Sequence, residues 1–360
     1  MIRPTVLLGM SGGVDSCVAA ALLLEHGFDV QGVTLQVWEH EDDTVATSKR
    51  WQERGCCKVG IAKYVAKRLG ISHEVVDTRD TFRAGVIDDF LSSYLGGTTP
   101  NPCVRCNERV KIHSLYRLAQ ERGADFVATG HYAKVVQHGT GYALERAADL
   151  RKDQSYFLYR IHPSWLPRLL FPVGHLQKAD VWTKAESLGL PADELKESQE
   201  ICFVSQGDYR TFIEMQAPEA RRPGQFTDLE GRALGRHDGI AFYTPGQRRG
   251  LGLATGRRLY VQRVVPETQT VVLGPEESLF ESECVVGDLN LFDDSVSERP
   301  IRASVKVRYA TPPTPATVAP SQDGTLTVQF DRPHRALSPG QSAVFYEAGR
   351  LLGGGIIQPH

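Results

Sequence analysis

Gly9, Met10, Ser11, Gly12, Gly13, Val14, Asp15 and Ser16 read GMSGGVDS, and this stretch decides the fold of the first part of the chain. It lies where the apolar run Thr5–Met10 (TVLLGM) gives way to the Ala/Leu-rich run Cys17–Gly27 (CVAAALLLEHG). The first run reads as a buried strand and the second as a helix that ends at a glycine. Gly12 and Gly13 remove side chains where backbone N–H groups must turn inward. Ser11 and Ser16 add hydroxyl donors, and the helix that follows offers its positive end. Residues 9–16 therefore predict an anion cradle. Asp15 fits beside phosphates when a divalent cation such as Mg²⁺ mediates. The plainer alternative is a glycine turn with an N-capping serine, but two serines and an aspartate between strand and helix favour the cradle. The stretch is not a Walker A loop, because it lacks Gly-Lys-Ser/Thr.

The strand–helix alternation continues outward. Asp29–Trp38, His73–Asp77 and Asp125–Thr129 have strand character. Gly60–Leu69, Thr81–Tyr94 and Lys111–Arg122 have helical spacing, and further helices are expected around Asp153–Arg160 and Lys178–Leu188. This order predicts an α/β domain with a parallel sheet and helices on both faces. Ligands of such sheets bind at the carboxyl ends of the strands. Leu35 then faces an adenine, although core packing explains it equally well. Gly130, in Thr129-Gly130-His131-Tyr132, permits close approach to the same ligand. After Val204 glycine and proline become frequent and short alternating runs replace helical spacing. The expected division is an α/β domain over 1–206, a small mainly-β domain over 207–280 and a C-terminal β-barrel over 281–360.

The bulk numbers bound the function. The chain has 360 residues, 41% hydrophobic and 23% charged, with a net charge of -2, as in an ordinary soluble protein. No apolar run approaches the ~20 residues of a membrane helix, and the N-terminus lacks a secretory layout, so a cytoplasmic protein without a membrane partner is expected. In a reducing compartment its cysteines, 7 in number, point to catalysis or metal binding before disulfides. The near-neutral total argues against a nonspecific nucleic-acid coat but permits a local basic face. Arg248, Arg249, Arg257, Arg258 and Arg263 cluster in a region without lysine. Guanidinium forks suit phosphate, though a solvated face accounts for them equally well.

Cys103 and Cys106 lie three apart in Thr99–Asn107 (TPNPCVRCN), and Cys202 lies in Ser198–Phe203 (SQEICF). Such thiols can bind metal, exchange disulfides or act as nucleophiles, and a thiolate can carry a persulfide sulfur. Cys17 and Cys284 sit in apolar runs as small hydrophobes. Cys56 and Cys57 are adjacent and poorly placed for joint action.

The loop resembles the SGGxDS signature of the PP-loop ATP pyrophosphatases, which by itself leaves GMP, argininosuccinate and lysidine synthetases and tRNA thiolases open. The wider set is more specific: TPNPCVRCN, ATGHYA (128–133), KDQSYFLY (152–159), FPVG (171–174), ICF (201–203), TPGQRRGLGL (244–253), VKVRY (305–309) and SPGQSAVFY (338–346). Together these span nearly the whole chain and resemble the tRNA-specific 2-thiouridylases, the MnmA family. The resemblance implies ATP and Mg²⁺ on residues 9–16 with Leu35 and Gly130 nearby, and adenylation of O2 of the wobble uridine. It also implies a persulfide on Cys202, loaded by a sulfur-relay donor protein, and a nucleophilic or resolving Cys106. Asn101, Pro102 and Cys103 would line the target base. Lys152, Asp153, Gln154, His131, Arg308, Tyr309 and Gln341 would touch tRNA. Alone, Lys152–Gln154 reads as a solvated helix start and Arg308 as a surface strand residue.

One position departs from the family pattern: Cys103 stands where an Asp is usual. That supplies a third thiolate, so a [4Fe–4S] cluster on Cys103, Cys106 and Cys202 is conceivable, with metal-free persulfide chemistry favoured over it. The rival functions are a PP-loop ligase or amidotransferase acting on a small metabolite, and a non-catalytic tRNA-binding protein.

Overall fold

The computed structural model describes residues 3–38, 59–190, 201–204, 208–253 and 256–359, so Cys56 and Cys57 lie outside the described residues. The chain forms two compact units. One comprises Met1–Val86, Cys103–Val204 and Gly349–Leu351; the other comprises Ile87–Pro102, Ser205–Ala348 and Leu352–His360.

The chain begins with β1 (Thr5–Gly9), α1 (Val14–Glu25), β2 (Asp29–Gln36), α2 (Val59–Leu69) and β3 (Ser72–Asp77). Next come α3 (Arg79–Phe82), α4 (Asp88–Leu95, in the second unit), α5 (Pro102–Cys106), α6 (Ile112–Arg122) and β4 (Phe126–Thr129). The first unit then adds β5 (Ala133–His138), β6 (Gly141–Arg146), α7 (Ser155–Leu158), β7 (Leu169–Leu170) and α8 (Lys178–Ser187). Its parallel sheet has the order β3-β2-β1-β4-β7.

Strand parity puts helices on both faces of this sheet. Val6 and Leu8 of β1 share a core with Val18 and Ala19 of α1, Ile61 and Val65 of α2, and Val181 and Ala185 of α8. Gly9 points the other way, where an added Cβ would lie 2.8 Å from Leu115 Cδ1 on α6. The register Gly9↔Val33 and Gly9↔Thr129 aligns the carboxyl ends of β1, β2 and β4. The 9–16 loop, Leu35 and Gly130 thus meet at one end of the sheet.

In the second unit, α9 (Tyr209–Gln216) precedes β8 (Gly224–Thr227), β9 (Ala233–His237), β10 (Tyr260–Val265) and β11 (Thr270–Gly274), a sheet of order β10-β11-β8-β9. Then come β12 (Phe280–Leu291), α10 (Ser295–Glu298), β13 (Ile301–Lys306), β14 (Thr314–Pro320), β15 (Leu326–Arg335), β16 (Ser342–Glu347) and β17 (Arg350–Ile357). Their order is β12-β15-β14-β13-β16-β17, and β17 pairs back onto β12. The C-terminal strands are therefore a closed barrel, filled by Val286, Val305, Val318, Val328 and Phe345 among others.

Several elements differ from the sequence expectation. The helix expected over 81–94 is interrupted by a π-turn at Arg83–Ile87, and a second π-turn, Asn107–Lys111, delays α6. The helix expected over 153–160 shrinks to α7, and the Asp153 carboxylate takes the N–H and hydroxyl of Ser155 at its start. The β5–β6 hairpin was not anticipated, although Gly139 (φ 58°) supplies the turn between its strands. A helix also opens the region expected to be mainly β, with Asp208 as its cap accepting from Arg210 N and the Thr211 hydroxyl.

Candidate active site

The loop after β1 is organised by its own serines. Gly12 adopts φ 74°, a left-handed conformation that favours glycine. Ser11 Oγ accepts from Gly13 N at 3.3 Å. Ser16 Oγ donates to Gly13 O at 2.9 Å and accepts from Ser11 N at 3.3 Å. Gly13 is the N-cap of α1 and has no side chain to cap with, so the N-terminal amides of this helix carry no side-chain cap. Unpaired N–H groups at the positive end of a helix dipole form an anion site. Val14, Asp15 and Ser16 are already the first turn of α1, and Met10 is held to β2 through its N–H to Val33 O.

Gly130 is explained by α1 itself. A Cβ there would lie 2.7 Å from Ser16 N and 2.8 Å from Asp15 C. The close neighbour that needs glycine is thus the backbone of the helix N-terminus. Leu35 is buried at the end of β2, 7% exposed.

Asp15 sits in a network that the sequence did not reveal. Lys178 Nζ donates to Asp15 Oδ1 at 2.6 Å, and Tyr132 Oη donates to the same oxygen at 2.8 Å. The Lys178 side chain is only 10% exposed, and its ammonium lies 5.4 Å from the ring centroids of both Tyr132 and Trp182. The signal was electrostatic: Lys178 opens α8, where a cation opposes the helix dipole. A carboxylate partner removes that conflict.

The 149–154 segment holds this network from behind. Asp149 Oδ2 accepts from Lys178 N at 3.1 Å. Gln154 Oε1 accepts from Tyr132 N at 2.9 Å, and Gln154 N donates to Tyr132 O at 2.8 Å. Asp153, expected at a tRNA surface, is 1% exposed and accepts from Arg146, Ala147 and Ser155. Its carboxylate is used inside the protein. Lys152 beside it is half-buried.

The cysteines fall on α5 and after α8. Cys103 is exposed, Cys106 is buried and Cys202 is half-exposed. Phe203 anchors its neighbour Cys202 by packing on Phe82 and Trp38, with centroids at 5.7 and 6.3 Å. Close to Cys106 in sequence, Glu108 pairs with Arg105 at 3.0 Å and Arg160 at 2.9 Å. Among the described residues no group of three His, Cys, Asp or Glu side chains is arranged to hold a metal ion. The three thiols therefore do not fit a [4Fe–4S] cluster in this arrangement. Cys284 is enclosed in the barrel, and burial, with Glu281 and Glu283 nearby, pushes its thiol up to about 12.

The remaining predicted residues have defined partners. His131 Nδ1 lies 2.7 Å from Thr129 Oγ1, and burial, reinforced by Lys111, pushes its imidazole down to about 3. In the second unit Gln341 Nε2 donates to Thr99 O at 2.9 Å and Pro100 O at 3.0 Å, just before half-buried Asn101 and buried Pro102. Arg308 donates to Ala336 O and Ser338 Oγ. Exposed Tyr309 lies under the Lys306 ammonium at 5.1 Å.

Three families match successive parts of the chain. They are the tRNA methyl transferase HUP domain over residues 4–206, the tRNA methyl transferase PRC-barrel domain over 210–275 and the aminomethyltransferase beta-barrel domain over 281–357. A protein of Acetivibrio thermocellus named tRNA-specific 2-thiouridylase MnmA is 43% identical over 99% of this chain and 100% of its own length. Proteins of the same name from Pelotomaculum thermopropionicum and Rhodospirillum centenum are 44% and 47% identical, over 99% and 98% of this chain and 98% and 91% of their own. With full-length similarity to these relatives, and a parallel-sheet domain that carries the GMSGGVDS loop at its carboxyl edge, the chain belongs to the tRNA-specific 2-thiouridylase (MnmA) family.

Proposed function

We propose that the protein is an ATP-dependent tRNA-uridine 2-sulfurtransferase acting on the wobble uridine. The observation that carries this is the uncapped N-terminus of α1 with Asp15 in its first turn, held by Lys178 and Tyr132. The amides of the loop and helix suit a triphosphate. Mg²⁺ would be held through Asp15, whose Oδ1 accepts from Lys178 and Tyr132 and whose carboxylate carries a second oxygen; the ion would supply neutralisation of the departing pyrophosphate.

The chemistry accounts for both halves of the first unit. Uridine O2 is a poor leaving group, and its attack on the α-phosphorus of ATP expels pyrophosphate and makes it a good one. A sulfur carried on Cys202 as a persulfide then attacks C2, and AMP departs with O2. The thiol of Cys106 acts as nucleophile or closes a disulfide with Cys202 as the persulfide S–S bond is broken. Asn101, Pro102 and Cys103 would line the base. His131, Lys152, Asp153, Gln154, Arg308, Tyr309 and Gln341 would meet tRNA, Asp153 with its carboxylate turned inward. A sulfur-relay protein supplies the persulfide, and the cytoplasm is the expected compartment. No described helix is long and apolar enough to cross a membrane. A division at 1–206, 207–280 and 281–360 is part of the same proposal.

Methyl transfer, the activity in the name of two matching families, would call for neither a triphosphate cradle nor a set of reactive thiols. The test is incubation of tRNA with ATP, Mg²⁺ and a persulfide donor, followed by mass spectrometry of nucleosides and assay of pyrophosphate. Formation of 2-thiouridine that depends on ATP is expected. Pyrophosphate release without tRNA, on a small metabolite instead, would redirect the assignment to a PP-loop ligase.

A further inference from the structure

We propose that Arg248, Arg257 and Arg258 form a subsite for the phosphodiester backbone of tRNA, away from the reacting atoms. This rests on the reading of the protein as a tRNA-modifying enzyme. The three side chains line one cavity of about 660 Å³ in the second unit, together with Gly250, Gly252 and Leu259. All three arginines are exposed, and among the described residues no acidic one lines the cavity. Arg249 and Arg263, which the sequence grouped with them, are not part of its lining.

Two of the charges at the cavity are unmatched. Two other arginines of the same region have carboxylate partners: Arg232 with Asp228 and Glu230, Arg221 with Glu214. Among the described residues neither Arg248 nor Arg258 has a carboxylate partner. The guanidinium groups of Arg248 and Arg258 around one cavity repel each other, and an anion relieves that repulsion. Their planar forks match the paired oxygens of a phosphodiester, and the region uses arginine to the exclusion of lysine. Gly250 (φ 72°) and Gly252 (φ 67°) adopt turns that glycine favours, and a Cβ on Gly252 would meet nothing within 4 Å. Backbone geometry, not packing, thus keeps that part of the wall free of a side chain, which lets a bulky chain come close.

The same features favour a polymer over a small anion. Small-molecule sites enclose most of their ligand, whereas the charged groups here are exposed. Backbone contacts by exposed arginines position a nucleic acid without reading its sequence.

The experiment compares the full chain with the Arg248→Gln/Arg258→Gln variant, and with Arg263→Gln as control, in binding of unmodified tRNA across a salt series. The double variant is expected to bind about tenfold or more weakly, with a log–log salt slope smaller by about two, one per lost phosphate contact. Arg263→Gln should follow wild type. ATP binding and thermal melting should be the same in all three; if the double variant melts early, the single Arg258→Gln, with a slope smaller by about one, takes its place. An unchanged affinity and slope would overturn the subsite. So would inorganic phosphate that displaces tRNA far better than chloride of equal ionic strength, which marks a free-phosphate site, or lost affinity for a persulfide donor with tRNA binding intact, which marks a protein surface. A wild-type protein that makes no 2-thiouridine, yet shows the slope difference, would refute the proposed function and leave the subsite standing.

Discussion

Lys178 Nζ reaches Asp15 Oδ1 at 2.6 Å, joining the first turn of α8 to the first turn of α1 across 163 residues of sequence. Both helix N-termini gain from it: the lysine is neutralised where the α8 dipole disfavours it, and Asp15 is oriented at the edge of the anion cradle. Replacing Lys178 by Met keeps the stem and removes the charge. Pyrophosphate release is expected to fall by one to two orders of magnitude, since charge-assisted hydrogen bonds of this kind are worth about 1.5–3 kcal/mol. The affinity for tRNA should stay within about twofold. A rate equal to wild type would remove Lys178 from the ATP step.

Gln341 bonds the carbonyls of Thr99 and Pro100, directly before the segment proposed to line the base. Gln341→Leu leaves both carbonyls without that donor, a loss of about 1–3 kcal/mol in local stability. Faster amide hydrogen exchange over residues 98–101 is expected, with the barrel strands protected as before. Unchanged exchange there would show that the backbone bond from Thr99 N to Pro339 O holds the segment alone.

The exposure of the thiols predicts an order of alkylation in the native protein. Among the described cysteines, Cys103 should react first and Cys202 more slowly, with Cys106 and Cys17 protected by burial. Cys284, whose thiol is pushed up to about 12, should stay unlabelled at pH 8 until the barrel unfolds. Peptide mass spectrometry after timed labelling reads this directly. Labelling of Cys284 ahead of Cys103 would contradict the barrel core.

His131 is pushed down to about 3, below the 6.5 of the unfolded chain. Between these values the unfolded state binds the extra proton. The contribution of His131 is therefore fully present above pH 6.5 and is lost as pH falls toward 3. Its imidazole resonances should not titrate between pH 5 and 8, and His131→Gln should flatten part of the acid limb of the stability curve. A midpoint near 6.5 for His131 in the folded protein would show that the ring is open to solvent.

The parallel sheet, the loop after β1 and the barrel were legible because local periodicity encodes them. Val6 and Leu8 alternate with Leu7 and Gly9 as a two-sided strand must, and the loop glycines mark where backbone turns toward a ligand. The two π-turns were not legible. Nothing in RAGVI or NERVK marks the wider hydrogen-bond ring, and one widened turn contacts the other where Arg109 donates to Gly85 O. Cys103 and Cys106 share a motif, yet one is exposed and one buried, a difference that the motif does not encode.

The sequence by itself determined the anion cradle, the candidate thiols and the family, since each rests on residue types at fixed short spacing. Tertiary structure alone decided what each polar group is bonded to. It turned Asp153 inward, brought Tyr132 and Lys178 onto Asp15, and gave Gly130 a helix N-terminus as its close neighbour. It also sorted five clustered arginines into three that line a cavity and two that do not. The physical reason is that hydrogen bonds and ion pairs are made across space, between residues such as 15 and 178, whereas strand and helix periodicity is written along the chain.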